Sequence, residues 1–317
     1  MNAPAVMAHV LRSSMVESVH RGSLVLLHPD GSTAYAAGDT DSPIYPRSSN
    51  KPLQAAAMLR AGARLSGRWL ALAAASHAGE PFHVQAVREI LDAAGVGVEA
   101  LGCPAFLPKD VGQRIAMVRD GDPTDRRLTM NCSGKHAGML LACVTNGWPV
   151  EGYLDPRHPL QIAVNAEIEA ATGEPIAHIG TDGCNAPAAA FSLTGLARAF
   201  QRLGAAAPGT ALGNVADAMR AHPEYVAGTH EPDTWLMSAV PGLLAKSGAE
   251  GVQAVALPDG RAFAYKIEDG SERAMGPVLA QVLRQCGIDS PVLERLDTVQ
   301  QPQPGAVPTV IEAVAFT

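Results

Sequence analysis

The chain has 317 residues, of which 47% are apolar and 17% charged, and it carries a formal net charge of −7. This composition excludes a disordered chain, and the acidic balance argues against nucleic acid or an anionic membrane as the main partner. No apolar run reaches the roughly 18 residues of a transmembrane helix. Five sparse cysteines argue against a disulfide framework, and residues 1–9 lack a basic, cleavable signal pattern, so we expect a cytoplasmic protein.

Two hairpins and a long helical stretch follow from turn signals and apolar spacing. Strands 23–28 and 33–37 flank a Pro-Asp-Gly-Ser turn, and strands 251–257 and 261–267 flank a Pro-Asp-Gly turn. Apolar spacing predicts helices over 52–63, 67–78, 81–95, 110–119, 133–146, 158–173, 186–204, 209–222 and 271–287. A Pro/Gln-rich connector at 299–308 precedes a possible last strand from residue 309.

Strands therefore occupy both ends of the chain, and helices fill the middle. The sequence predicts a mixed α/β (α+β) fold, with one antiparallel sheet built from both chain ends. We expect residues 1–317 to form one catalytic unit. Its sheet subdomain would cover about 1–47 and 235–317, and its helical subdomain about 48–234.

Ser48 and Lys51 begin the first predicted helix, where their spacing puts hydroxyl and amine on one face. A lysine whose pKa is lowered by burial or by a cation such as Arg47 can take the serine proton and create a nucleophile. The plain alternative is a surface Ser and Lys. Lys246-Ser247-Gly248, just before the strand at 251–257, favours catalysis, because penicilloyl-serine enzymes place such an element opposite S-x-x-K. No S-D-N element is evident, so an ordinary β-lactamase is excluded.

Ser76 and His77 close the helix predicted over 67–78. They are either a plain helix end or a second active-site serine with its neighbour. The Gly134-Lys135 pair farther along lacks the spacing of a phosphate loop, which excludes nucleotide binding there.

Two cysteine-containing segments form a candidate metal site. Cys132 and His136 are four residues apart, a workable ligand spacing on a helix, and Asp182 and Cys184 share a later polar turn. These four side chains could hold a borderline metal such as zinc. The alternative is that two thiols and an acid only line a polar pocket.

Over nearly its whole length, the sequence resembles a known family, the class 3 (Rhizobium-type) L-asparaginases of the asparaginase II family. The resemblance is carried by the segments RSSNKP at 47–52, ASH at 75–77, NCSGKHAGM at 131–139, GTDGCN at 180–185, AHPEYVAG at 221–228, Lys246 with Gly248, and KIEDG at 266–270. It implies a fold similar to serine β-lactamases and serine-dependent glutaminases. It also implies hydrolysis of L-asparagine to L-aspartate and ammonia.

The resemblance also assigns residues. It implies two catalytic Ser-Lys pairs, Ser48 with Lys51 and Ser76 with Lys246. It implies a zinc ion held by Cys132, Lys135, Cys184 and water, and it thereby removes His136 from the ligands. A lysine ligand must be neutral, so the pKa of Lys135 would have to be strongly lowered. The residues that we assign to substrate binding are Arg47, His77, Asn131, His136 and Asp182.

Alternatives to a serine amidohydrolase acting on L-asparagine remain open. L-Glutamine differs by one methylene, which a pocket distinguishes by only about 1–3 kcal/mol. A non-catalytic protein of the same fold could bind an amino acid or a peptidoglycan fragment, and a zinc-bound hydroxide could replace the serine nucleophile. The presence of all four Ser and Lys candidates favours the first hypothesis. We expect a homodimer, the commonest soluble oligomer.

Overall fold

The computed structural model describes residues 3–122, 124–298 and 310–316. The strands are β1 (Ala5–Arg12), β2 (Met15–Leu27), β3 (Thr33–Ala37), β4 (Pro43–Ile44), β5 (His178–Thr181), β6 (Pro187–Ser192), β7 (Leu244–Gly248), β8 (Val252–Ala256), β9 (Ala262–Ile267) and β10 (Val310–Ala313). The α-helices are α1 (Lys51–Arg60), α2 (Gly67–Ala73), α3 (Pro81–Ala94), α4 (Val111–Asp120), α5 (Arg126–Thr129), α6 (Ser133–Asn146), α7 (Pro159–Thr172), α8 (Leu193–Gly204), α9 (Ala211–Ala221), α10 (Pro223–Val226), α11 (Pro232–Ala239), α12 (Met275–Gln285) and α13 (Val292–Asp297).

The main sheet has seven strands in the order β10-β1-β2-β9-β8-β7, and β3 also pairs with β2. Every pairing in it is antiparallel, from Ala8↔Ala313 at one edge to Lys246↔Ala254 at the other. The mixed α/β fold with an antiparallel sheet from both chain ends is therefore confirmed. The two predicted hairpins are confirmed as β2–β3 and β8–β9. The division into two subdomains stays a prediction.

Small residues let the central helices pack closely. Helix α1 buries eight of its ten residues, including the run of three alanines from Ala55. A Cβ atom added at Gly138 of α6 would lie 3.0 Å from Met58 Sδ and 3.1 Å from Ala73 Cβ. Such spacing brings α6 against α1 and α2. In the part of the chain that the structure describes, no helix has the length and apolar character needed to span a bilayer.

Several segments differ from their predictions. The helix predicted over 67–78 ends at Ala73, so Ser76 and His77 lie in the loop that follows it. The helix predicted over 186–204 begins only at Leu193, because residues 187–192 form β6, which pairs with β4 and β5. The Lys246-Ser247-Gly248 element precedes β8, as predicted, but it also forms an edge strand of its own, β7. The N-terminal residues, for which no strand was predicted, form β1, which lies between the edge strand β10 and β2. The predicted connector at 299–308 lies outside the described residues.

Candidate active site

Ser48 lies in a 3₁₀ turn, Arg47–Asn50, that leads directly into α1. Arg47 has a φ of 54°, a left-handed conformation that costs energy for a residue with a Cβ atom. Its guanidinium is held by the Asp182 carboxylate, with Nε 2.9 Å and Nη2 2.8 Å from the same Oδ1 atom. This ion pair ties the strained turn to the loop between β5 and β6. Strain of this kind is typical of functional sites, where surrounding contacts fix the conformation.

Lys51 extends from the first position of α1 into the protein interior, and only 1% of its surface is exposed. Its Nζ atom lies 2.6 Å from the carbonyl oxygen of Ala75, 2.9 Å from Ser76 Oγ and 3.1 Å from Cys132 Sγ. The amine therefore joins the Ser76 loop to the segment that carries the predicted metal ligands.

The hydrogen bond from Lys51 to Ser76 joins the lysine of one predicted pair, Ser48–Lys51, to the serine of the other, Ser76–Lys246. The backbone N–H of Ser76 also donates to the Val226 carbonyl oxygen at 2.9 Å, which fixes the loop after α2. Among the described contacts, no hydrogen bond joins Lys51 to Ser48 or Lys246 to Ser76. The pairs Ser48–Lys51 and Ser76–Lys246 stay predictions.

Ser48 and Ser76 line one cavity of about 340 Å³. A volume of this order is typical of small-molecule sites. The wall is mixed polar and apolar, and its polar side chains include Asn131, which the sequence assigned to substrate binding. The remaining lining residues are Lys109, Ala227, His230, Glu231, Pro232, Asp233, Ser247, Gly248, Ala249, Gln253, Glu272, Met275, Gly276 and Leu279.

Strand β7 forms the wall of this cavity beside the Ser48 turn. A Cβ atom added at Gly248 would lie 2.5 Å from the Pro46 carbonyl oxygen and 3.3 Å from the Ser48 backbone nitrogen. Only glycine therefore permits this approach of strand to turn. Backbone N–H groups of a nucleophile's turn and of an adjacent strand are suitable donors for an oxyanion.

Lys246 on β7 is fully buried. Its Nζ atom donates to the Ser247 carbonyl oxygen at 2.8 Å and lies 3.8 Å from Asp233 Oδ2. Burial lowers the pKa of Lys246 to about 8, an effect that the Asp233 charge opposes and the Lys51 charge reinforces. An amine with this pKa is about half neutral at pH 8.

Asp233 is a residue of this site that the sequence did not single out. Its carboxylate is 1% exposed and accepts hydrogen bonds from Ser247 N–H, Ser247 Oγ–H and Gln253 Nε2 at 2.8, 2.7 and 3.1 Å. Pro232-Asp233 looks in sequence like an ordinary acidic first turn of a helix. The one sequence feature that could have pointed to a buried polar partner such as Asp233 was Ser247, a polar residue in a segment otherwise suited to a buried strand.

Asn131 and His77 connect the Ser76 loop to the start of α6. The backbone N–H of His77 donates to the Asn131 carbonyl oxygen at 3.1 Å. The buried His77 ring contacts Ser133 Oγ at 2.9 Å and accepts from Gly79 N–H at 3.2 Å. Burial, and next the charge of His83, lower its pKa well below the usual range, so the ring is neutral. His77 thus supports the loop, whereas Asn131 faces the cavity.

The candidate metal ligands lie together in the interior. Lys135 Nζ is 3.3 Å from Cys184 Sγ, and Cys132 Sγ lies 3.2 Å from Asn131 Oδ1 and 3.1 Å from Lys51 Nζ. The interaction between the two neighbouring sulfurs lowers the pKa of Cys184 and raises that of Cys132, which favours the thiolate at Cys184. Burial works against a charged Lys135, but the charges of Cys184, Cys132 and Asp182 outweigh it and raise its pKa.

The pKa of Lys135 is therefore raised, whereas a lysine that binds a metal ion must have a lowered pKa. The physical reason is the adjacent thiolate, which stabilises the ammonium form. A zinc ion would supply the positive charge instead, and it would take the place of a proton on Lys135. The described residues contain no group of three or more His, Cys, Asp or Glu side chains arranged to hold a metal ion. The ligand set that the family resemblance implies contains only two residues of these types, Cys132 and Cys184, because its third member is Lys135.

His136 and the thiols nevertheless provide chemistry that suits a soft cation. His136 Nδ1 contacts the Tyr153 hydroxyl at 2.6 Å, while its buried Nε2 atom has no hydrogen-bond partner among the described residues. The Cys184 sulfur lies near this ring. A buried ring nitrogen without a hydrogen-bond partner in the described structure, near a thiol, fits a borderline metal such as zinc, within or next to its ligand shell.

Two serines line one cavity, and the buried Lys51 amine contacts one of them. A serine beside an amine has the groups needed for nucleophilic attack on a carbonyl carbon. A sequence profile of the family described as L-asparaginase II matches residues 8–308. The chain belongs to the L-asparaginase II family and is therefore an amide-hydrolysing enzyme. The resemblance stated from its motifs is confirmed. No curated protein sequence matches the chain.

Several solved structures align with this chain at low identity. A β-lactamase from Mycobacterium bovis is 13% identical, with a TM-score of 0.46, over 84% of this chain and 95% of that one. EstCE1, a hydrolase with promiscuous acyltransferase activity, is 12% identical, with a TM-score of 0.42, over 79% and 89%. Mglu in its native form with 4.3 M NaCl is 17% identical, with a TM-score of 0.40, over 84% and 61%.

Proposed function

We propose that the chain hydrolyses the side-chain amide of L-asparagine to L-aspartate and ammonia through an acyl-serine intermediate. The observation that carries this proposal is the 2.9 Å contact between the buried Lys51 amine and Ser76 Oγ, at a cavity that Ser48 also lines. A lysine in this environment is a candidate general base for a serine. Membership of the L-asparaginase II family supports the substrate.

In the proposed mechanism, Ser48 is the nucleophile. Its Oγ attacks the amide carbon, and its proton passes through the Ser76 hydroxyl to neutral Lys51. Backbone N–H groups of the Ser48 turn and of β7 stabilise the oxyanion. The proton then returns to the leaving nitrogen, which departs as ammonia. Water attacks the acyl-enzyme and loses a proton to the same relay, which returns that proton to Ser48 Oγ as the ester bond breaks and L-aspartate leaves.

Lys246 has a separate part in this proposal. Its lowered pKa, about 8, lets it hold or release a proton near neutral pH. We assign it to the second serine, Ser76, through a bridging water. Activity would then rise with pH as the lysines lose protons, with its maximum above neutrality.

We further propose a zinc ion held by Cys132, Lys135 and Cys184, and a homodimer in the cytoplasm. Zinc there would supply a fixed positive charge that helps to place the substrate. The chain's own residues would orient the site around it: Asp182 through its ion pair with Arg47, and His136 through its hydrogen bond with Tyr153. Bond cleavage itself is assigned to the serines and lysines.

The test is ammonia release from L-asparagine and L-glutamine, measured side by side with purified wild-type protein and Ser48→Ala. We expect wild type to prefer L-asparagine and Ser48→Ala to lose almost all activity. Ser66→Ala is the matched control, because Ser66 is exposed and its side chain makes no capping hydrogen bond to α2. A preference for L-glutamine would support the glutaminase alternative, and no ammonia from either substrate would contradict the proposal.

A further inference from the structure

Asp233 is a fully buried carboxylate whose position the proposed proton transfers leave unexplained. It is the second residue of α11, and its side chain lies at the back of the cavity wall. Burial of an unpaired carboxylate costs several kcal/mol, and a chain avoids that cost only by supplying donors or a counter-charge. Here the donors come from two strands, Ser247 on β7 and Gln253 on β8.

Two of the hydrogen bonds that Asp233 accepts come from Ser247, the residue between Lys246 and Gly248 on β7. Ser247 donates both its backbone N–H and its hydroxyl to Oδ2, at 2.8 and 2.7 Å. Gly248 in turn packs against the turn that carries Ser48. One carboxylate therefore anchors the segment that carries Lys246 and that packs against the Ser48 turn.

We propose that Asp233 is a positioning residue for the amide hydrolysis: it anchors β7 beside Ser48, and its negative charge acts on the Lys246 amine 3.8 Å away. This inference rests on the proposed function, because it assigns Lys246 a part in the reaction. It adds a residue and a physical effect that neither the motifs nor the family match supplies.

The charge of Asp233 acts among several others that face Lys246. They are Lys51 from α1, Lys109 from the loop before α4, and the Cys132 thiol before α6. Lys51 and Lys109 favour the neutral amine, while Asp233 and Cys132 favour the ammonium. Asp233 alone lies within direct ion-pair distance in the described structure. Removal of its charge should therefore make Lys246 lose its proton at lower pH.

Asp233→Asn separates charge from hydrogen bonding. The asparagine oxygen can still accept from Ser247, and the Gln253 amide can turn its oxygen toward the new NH₂ group. The protonation of Lys246 is measured directly by NMR with ¹³C-labelled lysine, because the chain has only five lysines and Lys246→Arg assigns the signal. The kcat/KM of L-asparagine hydrolysis is measured over the same pH range.

We expect Asp233→Asn to move the Lys246 titration midpoint down by about one pH unit, the usual effect of a single nearby charge. The acid limb of kcat/KM should move by the same amount. Asp217→Asn on α9 is the matched control: Asp217 is exposed and pairs with Arg220 at 3.7 Å, and both curves should match wild type. A merely structural role would lower activity without moving either midpoint.

Ser247→Ala provides a second variant with the opposite expected sign, in case Asp233→Asn does not fold. It removes one donor from the carboxylate, so more of the negative charge acts on Lys246 and the midpoint should rise. An unmoved Lys246 midpoint in both variants would overturn the inference even in an active enzyme. A midpoint that moves while the kcat/KM profile stays fixed would overturn the part of Lys246 in the reaction. An inactive wild type would instead contradict the proposed function.

Discussion

At the residue scale, the Lys51 amine has three acceptors for its three protons: Ala75 O, Ser76 Oγ and Cys132 Sγ. The protonated amine donates to all three. After it loses one proton, its lone pair can accept from the Ser76 hydroxyl, while the other two contacts persist. The geometry therefore supports one proton moving between Lys51 and Ser76 without rearrangement of the buried side chain.

This arrangement predicts a shared loss of activity. Ser48→Ala and Lys51→Ala should each lower kcat for L-asparagine by roughly 10³-fold or more, because nucleophile and base act as one unit. The double variant should be little worse than either single one. Steady-state kinetics on folded, purified variants checks this prediction. Additive losses, or a Ser48→Ala enzyme with most of its turnover, would contradict the assignment.

The cysteines predict a metal-dependent effect on binding. Wild-type protein supplied with zinc should contain about one zinc ion per chain, the stoichiometry of a single site. Cys132→Ala and Cys184→Ala should lose zinc and raise KM more than they lower kcat. Cys286→Ala, a buried thiol at the end of α12, is the control and should keep its zinc. Elemental analysis and kinetics would contradict the site if zinc content and KM stayed unchanged in Cys132→Ala.

The sequence identified the chemical groups of the site better than their contacts. Ser48, Ser76 and Asn131 were named from motifs and line one cavity. The partner of Lys51 was not predictable, because Ser76 lies 25 residues away and the contact depends on how α1 packs against the loop after α2. Asp233 was missed for a similar reason: its role depends on two strands that follow it in the chain.

At the element scale, predictions held where local periodicity decides structure and failed where tertiary pairing does. Helix α6 was predicted with its observed bounds, 133–146, and Gly147 ends it in a left-handed conformation. Residues 187–192 were read as helix because a proline followed by alanines suits a first helical turn. Their strand is stabilised by pairing with β4 and β5, which local sequence does not reveal.

The contact of β7 with the Ser48 turn predicts the effect of one methyl group. Gly248→Ala would place its Cβ atom 2.5 Å from a backbone oxygen, so strand or turn must shift. We expect a stability loss of about 1–3 kcal/mol and a large fall in kcat. Gly112→Ala is the control, because Gly112 is exposed on α4 and alanine favours a helix. Urea unfolding and kinetics that show Gly248→Ala to be equivalent to Gly112→Ala would contradict this contact.

At the scale of the whole molecule, the oligomeric state is the simplest prediction to check. We expect a homodimer because closed two-fold dimers are the commonest assemblies of soluble enzymes. Light scattering coupled to gel filtration should give twice the chain mass of 32.9 kDa. The value should persist on dilution into the range of the activity assay. A mass of one chain at all concentrations would rule out the dimer.

Acid sensitivity of the whole fold follows from the buried histidines. His83 at the start of α3 contacts the Glu224 carbonyl oxygen at 2.9 Å and stacks on His77 at 4.9 Å between ring centroids. Burial lowers the pKa of His83 from 6.5 to about 4. The unfolded chain therefore binds this proton at higher pH than the folded one. The stabilisation is complete above about pH 6.5 and is lost as the pH falls toward 4.

For His83 alone, the linkage amounts to about 2 kcal/mol of unfolding free energy lost between pH 7 and pH 5. His83→Gln cannot titrate but can still donate to the Glu224 carbonyl oxygen, so its stability should change less over that range, by about that amount. His28→Gln, at an exposed position, should retain the wild-type pH dependence. Urea unfolding at both pH values measures the difference. An equal loss in wild type and His83→Gln would show that His83 stays unprotonated in the unfolded chain too, or is charged in the fold, and either result contradicts the burial argument.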